Sequence, residues 1–76
     1  MEFVAMTKIK LIDAHPRYSW RGNRIGGVVI ARHGRNEVGR CGWAGNLGRG
    51  EAVKTVEAQL THGYGEGGWE WEEQSV

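Results

Sequence analysis

Cysteine is almost absent from this chain. Cys41 is the only one, so no intrachain disulfide can form, and a single thiol cannot build a thiolate zinc site. A lone thiol suits a reducing compartment, and a cytoplasmic location is the expectation. Long apolar runs are missing too. No stretch of about 18 apolar residues exists, so neither a membrane-spanning helix nor a membrane partner is expected. The opening MEFVAM is too short for a signal peptide and lacks its basic region. Proline occurs once, at Pro16. Acidic residues are scarce in the first two thirds. Between Lys8 and Arg49 nine lysines and arginines face only Asp13 and Glu37, whereas six glutamates face only Lys54 from Gly50 onward. The net charge of +1 therefore hides a basic first part and an acidic last part.

Catalytic motifs are also lacking. No HExxH or CxxC occurs, and Gly22-Asn23-Arg24-Ile25-Gly26-Gly27 has no Lys-Ser/Thr pair to complete a phosphate loop. A metal site would have to be assembled from His15, His33, His62 and Cys41 without any spacing to support it. No paired acid and base stands out, so the expectation is no enzyme, no cofactor and no metal.

What remains is a chain of 76 residues with four tryptophans and thirteen glycines. That length allows one domain with a small core, and a second copy could complete it as a homodimer. Tryptophans bury on the order of 150–250 Å² each and can supply much of that core.

Hydrophobic periodicity gives the elements. Residues 7–14 alternate lysine with Ile9 and Leu11, as a strand with one buried face does. Pro16 then ends that strand, because it restricts His15. Residues 25–32 form the strongest strand. It is apolar on both faces, and Gly26-Gly27 marks a bulge or a close backbone approach. The tetrad His33-Gly34-Arg35-Asn36 turns the chain into a returning strand over 37–43. Ala52, Val53, Val56 and Leu60 fall at helical spacing, which predicts a helix over 51–61 with Gly63 just past its end. Trp69 and Trp71 alternate with glutamates, which predicts a short strand over 69–73 able to join either sheet edge.

The fold expected is α+β. It has a small antiparallel sheet of three or four strands, in the order βββαβ, with one helix on a face. Residues 1–6 make a loose extension, 7–73 the domain and 74–76 a tail.

The candidate contact residues are arginines and aromatics. Arg24, Arg32, Arg35 and Arg40 are expected on the face away from the helix and at its hairpin tip. Tyr18, Trp20 and Arg21 precede them in a polar loop. Arginine offers a planar fork of donors for phosphate or carboxylate, and Trp, Tyr and Arg are the types enriched both at protein interfaces and around bases. Gly48, Arg49 and Gly50 precede the helix, where free N–H groups could hold an anion.

Three antiparallel strands followed by a packed helix, over roughly 18–60, resemble the integrase-type DNA-binding module. That resemblance implies Arg21, Arg24, Arg32 and Arg40, with Trp20, approaching a major groove. The segment before Pro16 and the Trp-Glu end depart from its pattern. The size, glycine content and sheet-plus-helix order also look like small phage-encoded inhibitors, anti-CRISPR proteins among them. This second resemblance implies a non-catalytic protein that engages a host protein or nucleoprotein complex, with nucleic acid itself as the alternative partner.

Overall fold

The computed structural model describes residues 6–45 and 47–72. The expected extension over 1–6, apart from Met6, the tail over 74–76 and Glu73 lie outside them. Four strands and one helix follow in chain order: β1 (Thr7–Tyr18), β2 (Arg24–His33), β3 (Asn36–Ala44), α1 (Arg49–Tyr64) and β4 (Trp69–Trp71). The sheet order is β3-β2-β1-β4. β1, β2 and β3 pair antiparallel, and β4 adds to β1 in parallel, which makes the sheet mixed. The direction of β4 follows from connectivity. Two hairpins leave β3 running with β1, and α1 carries the chain back to the start, so the next strand points the same way.

β1 continues past Pro16 instead of ending before it. Its register shifts between Ala14 and Arg17, and His15 has a positive φ of 48°. A bulge absorbs the extra residue there, and a bulge is where a strand tolerates a proline that cannot donate to the ladder. The bulge lies opposite Gly26, which pairs with Arg17. The glycine pair itself stays in register with β3. It serves close approach: a Cβ on Gly26 would sit 2.8 Å from the Trp43 carbonyl oxygen. At the other end Gly34 (φ 62°) is the first central residue of a two-residue turn, the position glycine takes in a type II′ hairpin.

Alternation places Ile9, Leu11, Val29, Ala31, Cys41 and Trp43 on one face, and α1 packs there with Ala52, Val56 and Leu60. Ile9, Val29, Ala31, Ala52, Val56 and Leu60 are the fully buried cluster. The apolar stripe read from sequence is therefore the packing stripe. The helix is longer than the stripe alone suggests. It runs through Gly63 and stops at Gly65, whose φ of 88° suits glycine and whose N–H donates to Thr61 O at 2.8 Å. Trp69 and Trp71 close the same side, edge to face at 4.9 Å, and Trp69 Nε1 donates to Thr61 Oγ1 at 3.2 Å.

Both sheet edges carry protection. β4 covers β1 only from Thr7 to Ile9; beyond that the bulge and Pro16 blunt the edge. On β3 the Gln59 side chain does the work of a neighbouring strand. The Arg40 N–H donates to Gln59 Oε1 at 3.0 Å, and Gln59 Nε2 donates to Arg40 O at 3.1 Å. Gln59→Ala should lower the unfolding free energy in urea by about 1 kcal/mol, because water replaces both bonds imperfectly at an exposed site. It should also produce concentration-dependent association in sedimentation velocity, since the β3 edge then offers free backbone groups. An unchanged urea midpoint would mean that the amide pairing adds nothing.

Candidate nucleic-acid interface

The helix covers one face of the sheet. Among the described residues, no element covers the other. Register assigns Lys8, Lys10, Ile12, Ala14, Val28, Ile30, Arg32, Arg40 and Gly42 to that helix-free face. Two of its cations are neutralised locally. Lys8 pairs with Glu70 across β1 and β4, and Arg40 Nη2 lies 2.9 Å from Glu37 Oε1. Lys10 and Arg32 are different. They are direct cross-strand partners, and neither forms an ion pair among the described residues. Like charges placed directly opposite destabilise a sheet. The acid nearest in register, Glu37 opposite Arg32 on β3, is engaged by Arg40.

The same holds for Arg17 and Arg21 at the far end of the β1–β2 hairpin, and for Arg35 in the β2–β3 turn: none is ion-paired among the described residues. The segment from Ala14 to Asn36 holds five arginines and two histidines and no acid. The acidic helix residues Glu51 and Glu57 lie across the sheet, on the α1 side. The uneven charge along the sequence thus becomes a polarised surface. Cations cluster at both ends of one β-ribbon, with Ile12, Ala14, Val28 and Ile30 between them. Lys10 and Arg17 are separated by roughly 20 Å of strand at about 3.3 Å per residue.

A groove of about 470 Å³ opens beside the bulge, lined by His15, Arg17, Val28, Gly42, Trp43 and Leu47 among others. Beyond it the β1–β2 tip carries Tyr18, 60% exposed, and Trp20, 89% exposed, with the Arg21 guanidinium 4.8 Å from the Trp20 ring centroid.

Two expected contact residues sit elsewhere. Arg24 does not join Arg32 on the helix-free face. Its guanidinium lies 5.3 Å over the Trp43 ring and 3.8 Å from Asp13 Oδ1, on the helix side. Between Arg17 and Tyr18 the register skips Ile25 on β2, which alters simple parity at Arg24. Arg49 donates through Nε to both Asp13 oxygens at 2.9 and 3.0 Å. Its guanidinium thus tethers the start of α1 to β1, leaving Gly48 and Gly50 beside a cation already engaged by the chain's own carboxylate. Asp13, one of only two acids in the basic first part of the sequence, is the hub that holds Arg24 and Arg49. Nothing local marks that role, because Arg49 is 36 residues away.

A scan of protein-family models, a search of curated proteins and a search of solved structures each return no match. The site must therefore be read from its own geometry. The resemblance to the integrase-type module also loses its span. Three strands and a helix require β1, which begins at Thr7, whereas 18–60 contains little more than two strands and most of the helix. Among the described residues no helix is long and apolar enough to cross a membrane.

Proposed function

We propose that this chain is a non-catalytic binding module that holds nucleic acid, alone or within a nucleoprotein complex, against the helix-free face of its β1–β2 ribbon. The observation that carries this reading is the set of five cations without ion pairs among the described residues, Lys10, Arg17, Arg21, Arg32 and Arg35, at the two ends of one ribbon. Their roughly 20 Å separation exceeds the ~12 Å width of a major groove, so the two ends can meet phosphates flanking a groove while the half-buried Ile12, Ala14 and Val28 face base edges over a buried Ile30. The acids of α1 lie behind the sheet, and the two acids on the ribbon's own side, Glu37 and Glu70, are each paired with a cation, Arg40 and Lys8.

A protein surface is the second reading, and the exposed Trp20 favours it. Trp and Arg are the side chains that most often anchor protein interfaces. The inhibitor-like role belongs to this reading.

Salt dependence separates the two. If all five cations meet duplex phosphates, log K falls against log salt with a slope near −4.5, and affinity drops about 500-fold from about 50 to about 200 mM salt. Fluorescence anisotropy with duplex and single-stranded DNA and RNA reads this directly. No binding to any of them at about 50 mM salt rejects the nucleic-acid reading. Nuclease-resistant capture of one protein, lost on charge reversal at Lys10 and Arg32, would establish the second.

A further inference from the structure

We infer that the tip of the β1–β2 hairpin is a stacking site for one unpaired nucleobase, with Trp20 as the platform and Arg17 and Arg21 as phosphate contacts. The inference rests on the nucleic-acid reading above and names the form of nucleic acid that the tip selects.

The tip is a built turn. The Ser19 N–H donates to Asn23 O at 2.7 Å, the Gly22 N–H to Ser19 O at 2.9 Å, and the Asn23 N–H to Ser19 Oγ at 3.2 Å. Gly22 takes a φ of 86°, which glycine adopts without strain. Trp20 therefore projects from a closed loop, and little ordering remains to be done when a ligand arrives.

The other three tryptophans, Trp43, Trp69 and Trp71, pack against the core. Trp20 alone is spent on solvent, at 89% exposure. Arg21 stands over its ring, which steadies the indole and leaves a face open beside guanidinium donors. Arg17 follows along β1, at the groove below the tip. No acid occurs from Ala14 to Asn36 to repel a phosphate.

Aromatic rings interleaved with arginines form the platform that single strands use, since every base has a face to stack. A base within a duplex has both faces covered by its neighbours. A ring on a protruding turn therefore reaches a base face where pairing is absent.

The test compares a short labelled single strand with a blunt duplex of the same sequence, by anisotropy at low salt. Wild type, Trp20→Ala, Trp20→Phe and Lys10→Glu are measured. Trp20→Ala should weaken single-strand binding about ten-fold or more and duplex binding less than about two-fold. Trp20→Phe, which keeps an aromatic face, should stay within about three-fold of wild type on both. Lys10→Glu should weaken both ligands. Equal losses on both ligands for Trp20→Ala, or none on either, overturn the inference while leaving the ribbon reading in place. Absence of wild-type binding to either ligand removes both readings. A Trp20→Ala variant with unchanged oligonucleotide affinity that no longer retains a nuclease-resistant protein partner would make the tip a protein contact and overturn the stacking role.

Discussion

Leu60→Ala should lower the midpoint of thermal unfolding by roughly 10–30 °C. Leu60 is 1% exposed and belongs to a buried cluster of six side chains, two of which are already alanines. Truncating a buried leucine costs roughly 2–5 kcal/mol through lost transfer energy and the cavity left behind. The whole domain has only about 5–15 kcal/mol of stability to lose. Leu60 also occupies the last full turns of α1, next to the crossover into β4, so its loss loosens the contact that brings Trp69 and Trp71 onto the core. Circular dichroism melts at matched concentration measure the shift. Val53→Ala, at a half-buried site on the same helix, is the comparison and should cost clearly less. A shift below about 5 °C for Leu60→Ala would mean that the helix does not hold the sheet through this stripe.

Lys10→Glu should change binding and stability in opposite directions. Lys10 and Arg32 face one another across β1 and β2. Glutamate at position 10 converts a like-charge pair into an opposite-charge pair, worth roughly 0.2–1 kcal/mol, so the urea midpoint should rise slightly. Nucleic-acid affinity should fall about ten-fold or more at low salt, and the salt slope should become shallower by about one contact. The double variant Lys10→Glu/Arg32→Glu restores like-charge repulsion with the sign reversed. It should lose binding about a hundred-fold or more without gaining stability. The pair of signs is diagnostic, since a variant that binds poorly only because it is misfolded cannot melt later than wild type. If Lys10→Glu melts earlier and binds normally, Lys10 and Arg32 are not a retained contact site.

Much of this was legible residue by residue. Ala52, Val56 and Leu60 are spaced to face one way, and they do, because a buried stripe on a helix is a local pattern. The alternation of Ile9 and Leu11 with lysines, and of Trp69 and Trp71 with Glu70, placed each set on its proper face for the same reason. Pro16 misled, since its effect on β1 depends on whether a bulge can form opposite Gly26, and that depends on the partner strand. Arg24 misled through parity, because the register shifts beside Arg17 disturb a count that alternates every residue.

The sequence by itself determined the element order, the helix-facing residues and the segregation of charge along the chain. Each of these is carried by spacings of two to four residues or by composition, which need no partner to be read. Only the tertiary structure decided that β4 lies beside β1 and not beside β3. It alone brought Gln59 to the Arg40 peptide, joined Arg24 and Arg49 on Asp13, and set Lys10 opposite Arg32 while Glu37, the neighbour of Arg32 on β3, pairs with Arg40. These are contacts between residues that are not neighbours in sequence, from Asp13 and Arg24, 11 apart, to Lys8 and Glu70, 62 apart. Their formation depends on how strands pair and where the helix docks, and no local pattern encodes that choice.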